Sequence, residues 1–225
     1  MKVTLVSSSQ PSAELVAQGI VNAQELVAYC ARVSNPANQT NTDTSEKLIR
    51  YLIKHKHWSP LELVSACLEI ETTRDIARQI LRHRSFSFQE FSQRYAVADL
   101  GFEFKETRLQ DTKNRQNSIA LSGLTLKEQN LIEQWKHKQE QLICDAEYAY
   151  DWAIENGIAK EQARAVLPEG LTVSRLYMQG TLRSWLHYIE LRSGPETQKE
   201  HREVAQACAR ALESIFPMVN EFLVV

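Results

Sequence analysis

Five arginines fall between Arg74 and Arg94, the densest supply of fixed positive charge in the chain. At its centre runs Gln79-Ile80-Leu81-Arg82-His83-Arg84, followed by Ser85-Phe86-Ser87-Phe88-Gln89-Glu90-Phe91-Ser92-Gln93-Arg94. The segment is rich in donors and poor in acceptors. Guanidinium forks bind phosphate or carboxylate in pairs, and Gln, Ser and Glu complete an oriented polar set, so the stretch suits a phosphate and a pyrimidine edge. Two other readings fit the same residues. One is the solvated basic end of a helix. The other is a single-stranded nucleic-acid platform, with bases stacked on Phe86, Phe88 and Phe91. Against the latter stands the overall balance of 26 basic and 28 acidic residues, a formal charge of −2. General attraction to nucleic acid or to an anionic membrane is therefore disfavoured, and an anion site has to be local.

The 225 residues, 43% apolar and 24% charged, have the composition of a folded globular chain read as a single domain over 1–225. No apolar run approaches the length of a membrane span, and Met1-Lys2-Val3-Thr4-Leu5-Val6 followed by three serines lacks a signal-peptide core, so a cytoplasmic protein is expected. Cys30, Cys67, Cys144 and Cys208 are scattered without a C-x-x-C pair, so no metal site is expected. Their apolar settings in Cys30, Cys144 and Cys208 read as small buried hydrophobes rather than nucleophiles.

The elements that must carry these residues follow from periodicity. A strand is expected at 1–7 and a helix at 22–32, broken by Asn35-Pro36. A second helix capped by Asp43 or Thr44 repeats Leu48, Ile49, Leu52 and Ile53 and leaves His57 and Ser59 on its exit loop. From Val64 the period becomes two, with Val64, Ala66, Leu68 and Ile70 on one face of a half-buried strand. A short helix over 73–82 buries Ile76, Ala77, Ile80 and Leu81 and aligns Arg74, Arg78 and Arg82 on its other side. Residues 85–95 read as irregular extended chain, 102–105 as a strand and 110–122 as a loop or lid. Thr125-Leu126-Lys127-Glu128 has capping-box spacing and opens a long helix that closes at Asn156-Gly157, with Ile132, Trp135, Leu142, Ile143, Ala146, Ala149 and Ala153 inside. A helix over 159–166, a strand over 171–178, a helix over 181–191 delivering Arg192, and a last helix begun by Gly194-Pro195 complete the chain, its Val204, Ala205, Cys208, Leu212 and Ile215 facing inward. Helices outnumber strands without regular alternation, which predicts a helix-rich α+β fold with an antiparallel or mixed sheet.

Arg82-His83-Arg84, seven residues, then Ser92 resembles the signature of the flavin-dependent thymidylate synthases. His57-x-Ser59, Ala163-Arg164 before Leu167-Pro168, and Leu191-Arg192 match further segments in the same order, so the resemblance runs from about Lys54 to Arg192. It implies reductive methylation of dUMP to dTMP, with methylenetetrahydrofolate as one-carbon donor and NADPH-reduced FAD as hydride donor. It also implies a homotetramer with active sites at subunit interfaces. By position, Gln79, Arg82, Glu90, Ser92, Arg94, Arg164 and Arg192 resemble the dUMP-binding set. Ser59, Arg82, His83, Arg84, Glu90, Thr181, Leu182, Arg183 and His187 resemble the FAD contacts. Arg192 resembles the family's activating arginine, which favours ionisation at uracil N3. Leu63 and His187 depart from the residues that members commonly carry, His and Asn. A related flavoprotein with another nucleotide or folate substrate, and a purely structural oligomerisation domain, are the remaining alternatives.

Overall fold

Residues 1–224 are described by a computed structural model. Strand β1 (Lys2–Ser8) is followed by helices α1 (Ala13–Ala17), α2 (Ala23–Ala31) and α3 (Ser45–Lys54). Then come β2 (Ser65–Thr73), α4 (Arg74–Ile80), β3 (Ser87–Glu90), β4 (Arg108–Gln110) and β5 (Ser118–Ala120). The long α5 (Leu126–Glu155), α6 (Lys160–Ala163), β6 (Val173–Thr181), α7 (Leu182–Ser193) and α8 (Lys199–Leu212) complete the order. One sheet has the strand order β1-β2-β6-β3, and β4 and β5 form a separate antiparallel pair with Leu109 opposite Ile119. The fold is α+β.

By internal packing the chain forms two units. The first comprises Met1, Glu71–Leu81 and Glu90–Leu176; the second comprises Lys2–Ile70, Arg82–Gln89 and the chain from Tyr177 onward.

In the second unit the period-two pattern that starts at Val64 and runs along β2 buries Val64, Ala66, Leu68 and Ile70 completely or nearly so. The Thr181 hydroxyl caps α7 by accepting from the Ser184 N–H. Spacing of three and four then buries Leu182, Trp185, Leu186 and Ile189. Helix α7 packs on α8, and α8 on β1. The Trp185 indole donates to the Ala66 carbonyl at 3.1 Å, so the largest buried ring also satisfies its one polar atom.

In the first unit the Thr125–Glu128 capping box forms as its spacing demands. Further along α5, Tyr150 and Ala153 cluster with Ala163, and the Tyr150 hydroxyl accepts from the Ala98 N–H at 3.0 Å. Buried Gln139 accepts from the Lys105 N–H at 2.8 Å and donates to its carbonyl at 3.1 Å. These two bonds occupy both backbone groups of Lys105, and the expected strand at 102–105 reduces to a single bridge from Phe102 to Thr172.

Other expectations also change. Residues 87–90 are a strand, although only four residues long, and the expected loop at 110–122 contains β5. Helix α4 ends at Ile80, so Arg82 leaves the column formed with Arg74 and Arg78. The last helix begins at Lys199 rather than at Gly194-Pro195, and Ile215 lies beyond its end. On α5, Trp135 and Leu142 are 44% and 50% exposed rather than inside. Cys144 is likewise exposed, whereas Cys208 is buried as expected.

Gly180 makes a tight contact: a Cβ built there would lie 2.4 Å from the Phe86 ring. Gly180→Ala should cost about 1–3 kcal/mol by overpacking, measured by urea unfolding; an unchanged midpoint would mean that the Phe86 ring moves aside without loss.

Candidate active site

The donor-rich motif gets its shape from one aromatic ring. Phe86 is 9% exposed and meets Trp185 edge-on at 4.8 Å. The Phe86 N–H donates to the His83 carbonyl at 3.3 Å, closing a turn. Burying Phe86 draws the chain out of helical geometry and leaves Arg82 and Arg84 exposed on either side of half-buried His83. It also removes one of the three rings that a nucleic-acid platform would need.

His83 sits against Tyr188, with the rings edge-on at 4.9 Å. Its Nε2 accepts from Arg192 Nε at 2.9 Å. Burial, then Arg192, then Arg82 push the His83 imidazole down to about 4, so near neutrality it is uncharged and carries its proton on Nδ1. Behind it the His201 Nε2 and the Tyr188 hydroxyl share a hydrogen bond of 3.1 Å. His201 is completely buried, and burial, Arg192 and His83 push it down to about 3. Burial also raises Tyr188, so this pair is neutral as well. Arg192 is therefore the cation of the group, held in the last turn of α7 where its charge also favours the helix C-terminus.

The remaining flavin candidates of the second unit lie mainly on α7 and the segment before β2. Thr181 is the α7 cap and Leu182 is buried, so they reach a ligand through backbone or edge atoms at most. Arg183 ion-pairs with Glu62, and His187 meets Trp58 edge-on at 4.4 Å. Burial, then Arg183, lowers the His187 pKa. Ser59 is exposed at the start of a 3₁₀ turn, and Leu63 is 63% exposed. His57 is exposed beside Tyr51 and His55.

The substrate candidates of the first unit gather around Glu161. Its carboxylate lies 3.5 Å from Arg94 Nε, and its carbonyl accepts from Arg164 Nε at 3.4 Å. One glutamate thus holds two arginines that are 70 residues apart in sequence. Half-buried Ser92 accepts from the Arg94 N–H at 3.4 Å. Glu90 accepts from the Ser174 hydroxyl at 2.9 Å and lies 3.6 Å from Arg74. Gln79, the last candidate of this unit, is half-buried on α4. Arg82 and Arg192 belong to the second unit.

Sequence reasoning missed Glu62, Glu161, Tyr188 and His201, the residues that orient the arginines and His83. The one available signal for His201 was its place on the stripe of Val204, Ala205 and Cys208, which marks an inward face.

The chain shares its α+β architecture with a nucleotide-modifying enzyme. A UMP/dUMP methylase, PolB from Streptomyces cacaoi, solved with 5-Br UMP, superposes with a TM-score of 0.80 at 26% identity, covering 98% of this chain and 92% of that one. The family model described as thymidylate synthase complementing protein matches residues 14–218. A probable flavin-dependent thymidylate synthase of Paramecium bursaria Chlorella virus 1 is 46% identical over 99% of both chains. The flavin-dependent thymidylate synthase of Synechocystis is 46% identical over 97% of both. The chain belongs to the family of the flavin-dependent thymidylate synthases and is an enzyme of that family.

The two depressed histidines set a pH dependence. Their folded values lie below the ordinary 6.5, so the unfolded chain binds protons first as pH falls. Their contribution to stability is complete above pH 6.5 and declines from there to about pH 4 for His83 and about 3 for His201. His83→Gln keeps an acceptor for Arg192 but does not titrate. Acid unfolding followed from pH 7 to 4 should therefore be shallower in that variant, and an identical slope would show that His83 is not depressed.

Proposed function

We propose that the protein methylates dUMP to dTMP, taking the one-carbon unit from methylenetetrahydrofolate and reducing power from NADPH through FAD. The observation that carries this reading is the hydrogen bond from Arg192 to a neutral His83. That bond uses Nε and leaves the terminal amino groups of Arg192 for a ligand. Directed at the N3 edge of uracil, a permanent cation favours the ionised pyrimidine and enriches electron density at C5, the carbon that acquires the methyl group.

The donor set fits FAD: exposed Arg82 and Arg84 and half-buried Arg183 offer guanidinium groups suited to a pyrophosphate, with Ser59, His83, Glu90, Thr181, Leu182 and His187 as its other proposed contacts. When bound, FAD supplies the hydride that completes the methyl group. Gln79, Arg82, Glu90, Ser92, Arg94 and Arg164 bind dUMP, the arginines countering its phosphate. Glu161 keeps Arg94 and Arg164 from folding away when no phosphate is present.

A route without thiolate attack is supported by the cysteines, since burial pushes the thiols of Cys208, Cys30 and Cys67 up. The chain works as one catalytic domain within a cytoplasmic homotetramer whose active sites combine residues of several subunits. Among the described residues no helix is long and apolar enough to cross a membrane.

Release of tritium from C5 of labelled dUMP tests this reading. It should require FAD, NADPH and methylenetetrahydrofolate together; release that persists with any one omitted would refute the proposed donors. Arg192→Ala should retain bound FAD and lose at least about 100-fold in turnover, the scale of a removed electrostatic group. Ser92→Ala should weaken dUMP binding more than FAD binding, and equal losses would reassign Ser92.

A further inference from the structure

Helix α5 is 30 residues long, yet among its side chains Gln139, Ala146, Tyr150 and Ala153 are the buried ones. Beside that buried face runs a second line, Leu131, Trp135, Lys138, Leu142, Asp145, Ala149 and Trp152, at alternating spacings of four and three. Such spacing is the seam of a coiled coil, whose positions turn toward one partner helix. Here the seam faces solvent: Leu131, Trp135, Leu142 and Trp152 are 40%, 44%, 50% and 52% exposed.

The order of residues along the seam identifies the partner. Reversed end for end about Leu142, the line matches itself to within one residue, about 1.5 Å of rise: Leu142 meets Leu142 and Trp135 meets Ala149, while Lys138 falls beside Asp145 and Leu131 beside Trp152. Opposite charges fall opposite each other, and the bulkiest side chain faces the smallest. Lys138 and Asp145 lie seven residues apart on one helix, about 10.5 Å in rise, so they cannot pair within a chain. The Ala149 end of the seam also has room for an indole. A cavity of about 470 Å³ is lined there by Ala149, Ala153 and Ala163 together with Trp152 and Val166. Self-complementarity on reversal is the requirement for an isologous two-fold contact.

We propose that α5 pairs with α5 of a second copy of this chain, antiparallel about a two-fold axis at Leu142, with Trp135 of each copy entering the alanine-lined cavity of the other. The proposal deepens the multi-subunit reading above and rests on it only in requiring that copies of the chain associate. Two Lys138–Asp145 pairs then flank the axis and fix the antiparallel sense, since a parallel register would set Lys138 against Lys138 and Asp145 against Asp145.

The test uses the full-length protein, with assembly followed by sedimentation velocity across a dilution series. Lys138→Glu and Asp145→Lys each turn two attractive pairs into repulsive ones and should weaken association at least about tenfold, roughly 1.4 kcal/mol. Combined in one chain, the two reversals should restore it. Leu142→Cys, in a Cys144→Ser background, should form a disulfide-linked dimer under mild oxidation, visible without reductant. Assembly that is indifferent to both reversals, with no Leu142→Cys crosslink, would overturn the α5 pairing while leaving the multi-subunit reading intact. A wild-type chain that stays monomeric at micromolar concentration would overturn both.

Discussion

A guanidinium does not give up its proton near neutrality, so an imidazole held 2.9 Å from one must give up its own. That constraint organises the centre of this protein. His83 can accept from Arg192 only while neutral, and it is kept neutral by burial against Tyr188 and by the charge it is bonded to. Arg192 in turn is aimed by an acceptor that offers no counter-charge, so its full positive charge remains available to a ligand. A carboxylate in the place of His83 would hold the arginine as firmly and cancel its charge. The neutral His201–Tyr188 pair behind the imidazole brings no negative charge to Arg192 either.

Elsewhere the arginines are handled the other way. Arg183 is paired with Glu62, Arg94 with Glu161, and Arg78 with Glu169 at 2.7 Å. These exposed or half-exposed contacts contribute little to stability in water. Their effect is on conformation, because a long flexible side chain with one favoured partner explores fewer arrangements.

Where local pattern and tertiary need agree, the sequence was legible. The alternation of Val64, Ala66, Leu68 and Ile70 marks β2, and Thr125 with Glu128 marks the start of α5, because in each case the nearest few residues decide the outcome. The misread elements depend on distant partners. Residues 87–90 make too short a stretch for alternation to decide, and they become a strand in the sheet order beside β6. Lys105 loses its strand to two hydrogen bonds from Gln139, 34 residues away. Trp135 and Leu142 read as interior because helical periodicity identifies an apolar face without saying whether this chain or another one covers it. The site divides similarly. Arg82-His83-Arg84 and Arg192 were found through a family signature, whereas His201 looked like one more position on an inward helical face, and Glu161 like one more surface charge.

The division of the chain bears on its inheritance. The backbone passes from one unit to the other after Met1, Ile70, Leu81, Gln89 and Leu176, and the donor motif itself is dealt to the two in turn, with Gln79 in the first, Arg82 to Gln89 in the second, and Glu90 to Arg94 in the first again. Neither unit is a continuous run of codons. Recombination cannot lift one out as a single segment and graft it elsewhere. Both must descend together, so a lineage that changes the part carrying Arg94 and Arg164 carries the consequences for the part carrying His83 and Arg192 in the same gene.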